Sequence, residues 1–232
     1  MSDSTQADKI RRARGEARYL TLLISLLLLV VMTPFVETLR YGLVLMSMAG
    51  AIVIVSGTYA VSERRRLFVV TLIVAAAAVA TTCLLVVLER EWIVVASDGL
   101  LLLLLGLFSV GVLGDVLRRG RISANKIYGA ICVYLLIGAA WGLAYTIMEL
   151  INPGSFSGLD TGNFDYVARA MQMRYFSFAT MTTLGFGDIL PRSPVARTLS
   201  MLEAVMGQIY LTVLIARLVG LHIVQASSRG DD

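Results

Sequence analysis

Six runs of apolar residues, each close to the length of a bilayer-crossing helix, divide this chain and leave it few other ways to fold. A helix that crosses ~30 Å of hydrocarbon needs about 20 mostly apolar residues. Such runs extend roughly over Tyr19–Val36, Tyr41–Val61, Leu67–Leu88, Trp92–Leu117, Ile127–Leu150 and Val195–Ile223. Across the 232 residues, 57% are hydrophobic and 16% charged, with a mean hydropathy of +0.79. That balance departs from soluble globular domains and predicts an all-α membrane protein.

The formal charge of +4 does not point to nucleic acid, because the basic residues sit in short clusters between the apolar runs. Lys9, Arg11, Arg12, Arg14 and Arg18 precede the first run, Arg64–Arg66 separate the second and third, and Arg118, Arg119, Arg121 and Lys126 separate the fourth and fifth. The alternate segments are richer in acid, with Glu149, Asp160 and Asp165 in the longest. The bias of basic residues towards the inner side predicts that both termini are cytoplasmic; the membrane expected is a plasma membrane, of bacterial inner-membrane type. The first run contains Pro34 and lacks a small-residue cleavage site, so it is expected to stay as a span.

Neither Cys83, Cys132 nor His222 has metal-ligand spacing around it, and all three are read as packing or interfacial residues. Gly138 and Gly142 form a small-xxx-small pair, and Ala75–Ala80 is a run of small residues; both predict close helix packing.

The connection between the last two runs is not a simple loop. It begins with the polar, turn-rich "INPGSFSGLDTGNFDYVAR", then reads "AMQMRYFSFATMTTL", helical in pattern but too short to span. This predicts a re-entrant helix. A helix that stops at depth leaves carbonyls unpaired, tolerable only inside protein or against a watery cavity. Its C-terminal end carries about half a negative charge, which favours a cation. In the "TTLGFGD" that follows, Gly185 and Gly187 are able to take left-handed dihedrals, so backbone carbonyls can line up and replace an ion's hydration. One strand cannot encircle an ion, so a ring requires several copies.

This stretch resembles the selectivity filter of the tetrameric potassium channel family, usually Thr-Val-Gly-Tyr-Gly-Asp and here Thr183, Leu184, Gly185, Phe186, Gly187, Asp188. The likeness covers roughly Ile127–Ile223, including Thr182 and the placement between two spans. The resemblance implies a homotetramer with K+ at the carbonyls of Thr183, Leu184, Gly185 and Phe186 and the Thr183 hydroxyl, while Gly187 and Asp188 shape the outer mouth. It implies filter support from Thr180, Thr182, Asp188, Glu203 and Phe176, the last standing opposite Phe186, which lacks the hydroxyl common at that position. It further implies a bend at Gly207 and a cavity-facing stripe of Gln208, Leu211 and Ile215. Glu203, deep in the last run, should face protein, since a lone carboxylate there costs about 2.5–3.5 kcal/mol. Gly207 serves either close packing or flexing.

The domain reading is a cytoplasmic segment 1–18, a four-helix membrane domain 19–117, a linker 118–126, a pore domain 127–223 and a tail 224–232. The fourth run carries Asp98 and Asp115 but no basic residue. An arginine-rich voltage sensor, needing several charges that each gain about 2.3 kcal/mol per 100 mV, is therefore not expected. Asp98 reads most simply as a hydrated residue near the outer interface.

The function expected is passive, potassium-selective conduction without enzyme activity or organic cofactor. Lipid and further copies of the chain are the expected partners, a separate regulatory subunit being left open. A weakly selective monovalent cation channel is the alternative. Clustered catalytic residues and paired broken helices in two related halves, the marks of an enzyme or a secondary transporter, are not seen.

Overall fold

The computed structural model describes residues 18–32, 42–88, 91–118, 123–159 and 166–227. Lys9, Arg11, Arg12, Arg14, Pro34, Arg119, Arg121, Asp160 and Asp165 lie outside these ranges, as do the side chains of Cys83 and His222.

The described chain is mostly helical. It comprises α1 (Arg18–Met32), α2 (Gly42–Ala60), α3 (Arg65–Leu88), α4 (Glu91–Val116), α5 (Ala124–Ile151), α6 (Tyr166–Met181) and α7 (Pro194–Ser227). Two short strands, β1 (Phe156–Ser157) and β2 (Leu190–Pro191), pair antiparallel with Phe156 opposite Pro191. Among the described residues, four stretches are long and apolar enough to cross a membrane: Arg65–Thr82, Trp92–Val116, Ala124–Ile151 and Pro194–Arg217. The chain is a multi-pass membrane protein. The first two apolar runs appear as shorter helices, Arg18–Met32 and Ser47–Ala60, with residues 33–41 between them outside the described set.

Local chemistry explains where the last two long helices begin. Ser123 precedes α5, and its hydroxyl accepts from the Lys126 N–H at 3.4 Å. Ser193 precedes α7, accepts the Ala196 N–H at 3.1 Å and is followed by Pro194. A hydroxyl at the N-cap pairs a donor that the helix cannot, and proline at the first position removes one.

The residues form two compact units. One holds the chain up to Leu72, Leu107–Leu135 and the end of α7 from Gly220. Within it, Arg18 is buried and bridges Glu63 at 2.7 Å and Asp115 at 2.9 Å, while the Tyr19 hydroxyl donates to Asp115 at 2.7 Å. Arg18, read from sequence as one of a cytoplasmic cluster, thus ties together the ends of α1, α2 and α4. A guanidinium removed from water needs such partners.

The second unit holds Ile73–Gly106 and Leu136–Val219. Ala75 and Ala78 are buried in it, as the run of small residues predicts. Gly138 and Gly142 let α6 approach α5: a methyl at Gly142 would stand 2.7 Å from the Arg174 Cα, and one at Gly138 would meet Phe178 and Met181. Close approach of backbones is what small residues allow.

Candidate functional site

The site is the segment Thr182–Asp188, held between α6 and α7 in the second unit. The end of α6 is capped by the segment's own backbone. The Thr183 N–H donates to the Thr180 carbonyl at 3.1 Å, and the Leu184 N–H donates to the Ala179 carbonyl at 2.8 Å. Together with a left-handed Thr183 (φ 60°) this is a Schellman cap. The Gly185 N–H also reaches the Ala179 carbonyl, at 3.1 Å, and the Thr182 hydroxyl donates to the Phe178 carbonyl at 2.6 Å. The carbonyls that a terminating helix leaves open are thereby paired.

That capping fixes where the following carbonyls face. A trans peptide points its C=O opposite its N–H, and no peptide bond among the described residues is cis. With the N–H groups of Leu184 and Gly185 turned back on α6, the carbonyls of Thr183 and Leu184 face away from it. Gly185 (φ 53°) and Gly187 (φ 79°) are left-handed, as their residue type permits, whereas Leu184 and Phe186 are not. Thr183 is the departure: a β-branched residue in this region costs about 1–2 kcal/mol.

The outer end is anchored separately. The Ser155 carbonyl accepts the N–H of Arg192 at 2.7 Å and of Ser193 at 3.2 Å, beside the β1–β2 pair. Glu149 is buried at the end of α5 and accepts the N–H groups of Gly154 at 2.7 Å and Phe156 at 3.1 Å, shaping the turn before β1. Gly158 (φ 83°) lies so close to the Asp188 carbonyl that a methyl there would stand at 1.8 Å. Tyr175 of α6 hydrogen-bonds Asp188, which holds the phenol above its ordinary pKa. The Tyr175 ring also stacks on Phe186 with centroids 6.4 Å apart and planes at 11°.

Behind the segment, Glu203 of α7 is fully buried. Its Oε2 accepts the Tyr145 hydroxyl at 2.7 Å, and its Oε1 contacts the Ser177 hydroxyl. Ser177 Oγ also lies 2.8 Å from the Gly138 carbonyl. The Ser177 hydroxyl thus stands within reach of two acceptors, the Glu203 carboxyl and the Gly138 carbonyl. Glu203, expected to face protein, does so with partners on α5 (Tyr145) and α6 (Ser177). Phe176 packs with Tyr145 and Phe156, ring centroids 5.3 and 5.2 Å away, in edge-on contacts that apolar rings favour. The ring stacked on Phe186 is Tyr175.

Thr180 is half-buried, and Thr182–Asp188 are exposed on the single chain, including the apolar Leu184 at 56% and Phe186 at 67%. An open cavity of about 200 Å³ lies behind them, lined in part by Phe176, Ala179, Thr180, Phe186 and Ser200. Gly207 packs on the end of α6, where a methyl would meet the Met181 carbonyl at 2.7 Å. Gln208 and Ile215 are exposed and Leu211 half-buried. No cluster of His, Cys, Asp and Glu suited to a metal ion occurs among the described residues. Asp98, expected to be hydrated, is 2% exposed and accepts the Tyr166 hydroxyl at 2.6 Å. Tyr145, Ser177, Tyr175, Glu149 and Gly158 were not legible as site residues. Each is a common residue whose partner is remote in sequence or backbone alone.

Comparison with known proteins falls on this same segment. Residues 130–222 match the family model described as ion channel. The inward rectifier potassium channel Kirbac3.1 of Paramagnetospirillum magnetotacticum is 36% identical over 85 residues, which are 35% of this chain and 24% of that protein. The matched part thus spans about a quarter of that relative's length. No solved structure matches the chain. Residues 130–222, from α5 into α7, are thus similar to an ion channel family, and part of the chain is similar to part of a potassium channel.

Proposed function

We propose that four copies of this chain form a potassium-selective channel that conducts K+ passively across a plasma membrane. In this reading α6 is a re-entrant pore helix, six helices cross the bilayer and both termini are cytoplasmic. The carbonyls of Thr183, Leu184, Gly185 and Phe186, with the Thr183 hydroxyl, replace the hydration of the ion. Gly187 and Asp188 shape the outer mouth, and Gln208, Leu211 and Ile215 line the cavity beneath.

The observation that carries the proposal is the turning of the Leu184 and Gly185 N–H groups onto the Ala179 carbonyl. It leaves the preceding carbonyls free for a ligand, and a bare row of carbonyls at membrane depth is stable only against a cation or water. Exposed Leu184 and Phe186 support further copies of the chain as the cover. Flux of K+ into liposomes holding the purified chain, with Na+ and a pore blocker as controls, tests it. K+ uptake well above Na+ uptake is expected; no uptake beyond that of empty liposomes overturns the proposal.

The alternative to potassium selectivity is a weakly selective monovalent cation channel with the same ring of carbonyls. Reversal potentials under opposed K+ and Na+ gradients separate the two readings. The absence of basic residues from α4 supports weak voltage dependence in either case.

A further inference from the structure

The helices before α5 have no role in the reading above, and one contact supplies it. Asp98 sits in the apolar helix α4, among "WIVVASDGLLLLLL", yet is 2% exposed. Its Oδ1 accepts the hydroxyl of Tyr166 at 2.6 Å. Its Oδ2 is buried and finds no partner among the described residues, so this bond is what holds the carboxylate in place.

Tyr166 is the first residue of α6. The N-terminal end of a helix carries about half a positive charge, so a carboxylate tethered there is favourably placed. An open cavity of about 510 Å³ lies beside this end, lined in part by Trp92, Leu150, Pro153, Tyr166 and Arg169. A helix of 16 residues is about 24 Å long, and its far end is bonded directly to Thr183, Leu184 and Gly185. A shift of the N-terminal end is transmitted along a rigid rod to the segment that the ions pass.

We infer that Asp98 is a positioning residue: through Tyr166 it seats the start of the pore helix, so that α4 acts on conduction through this contact and not through movement of charge. The inference rests on the channel reading. If the bond sets the seat, losing either partner lowers the probability that the pore is open and leaves the unitary path unchanged.

The full chain in planar bilayers is compared with Tyr166→Phe, Asp98→Leu, the pair together, and Asp98→Asn. Tyr166→Phe, which strands a buried carboxylate, is expected to lower open probability about tenfold. Asp98→Leu should do so to a similar degree. The double variant should be no worse than either single one, because both polar partners are then gone. Asp98→Asn, which still accepts the hydroxyl, should keep most of the wild-type value. Unitary conductance and reversal potential should not move. Unchanged open probability in the single variants, or effects that multiply in the double, overturns the inference.

Hydrogen exchange supplies a readout independent of conduction. Amides 170–173 of α6, which bond back to its first turn, should exchange faster in Tyr166→Phe and Asp98→Leu and not in Asp98→Asn. If the wild-type chain carries no K+ current, the channel reading fails by itself, and exchange alone decides the positioning role. Equal exchange in all variants overturns it.

Discussion

The hydroxyl of Tyr145 donates to Glu203 Oε2 across 2.7 Å, joining α5 to α7 behind the capped end of α6. Ser177, on α6, contacts the other oxygen, so three helices meet at one fully buried carboxyl.

Glu203→Ala leaves two buried hydroxyls without that partner and opens a cavity, and should destabilise the chain by about 2–4 kcal/mol. Glu203→Gln should cost far less, because its amide accepts from Tyr145 and donates to Ser177. Thermal unfolding in detergent checks both, and equal losses in the two variants would contradict the bonding described.

Tyr175 and Asp188 make the outer support depend on pH. The bond raises the Tyr175 pKa by favouring the neutral phenol. A raised folded-state value means that the stabilisation is complete below the ordinary tyrosine value of about 10 and is lost as pH rises through the higher one. K+ uptake measured between pH 7 and 11 should fall at the alkaline end. Tyr175→Phe should remove that alkaline step.

Gly158→Ala places a methyl against the Asp188 carbonyl at a left-handed backbone position. Both effects oppose it, so a loss of about 2–4 kcal/mol is expected. Gly207→Ala meets the Met181 carbonyl and should cost about 1–3 kcal/mol. Melting curves read both. A Gly207→Ala protein as stable as wild type, with altered open probability, would favour flexing over packing there.

Thr183→Gly separates strain from ligation. Glycine removes the left-handed penalty and should stabilise the loop by about 1 kcal/mol. It also removes the hydroxyl proposed as an ion ligand, so K+ over Na+ preference should drop, as reversal potentials would record.

What could be read from the residues alone followed from contrast. "TTLGFGD" stands out because glycines and hydroxyls interrupt apolar sequence, and Glu203 because a carboxyl in such a run must find partners. The long helices α3, α4, α5 and α7 were legible from run length, and α6 from its helical pattern. The partners were hidden for a physical reason. Tyr145 and Ser177 lie 58 and 26 residues from Glu203, and helix packing alone brings them together. Asp98 reads as an interfacial acid until folding sets Tyr166 beside it. The left-handed Thr183 was equally hidden, because its residue type argues against the dihedral that the cap requires.

The segment from Thr182 to Asp188 is pinned at both ends within one chain, on the Ala179 and Thr180 carbonyls at one end and through Ser155 and the short strands at the other. In the tetramer proposed above, each copy would reach its neighbours with this arc already shaped. Bringing four together would then cost orientational freedom and very little loop entropy, so that assembly would be a docking of rigid parts and the ring's diameter would be set by how the helices meet.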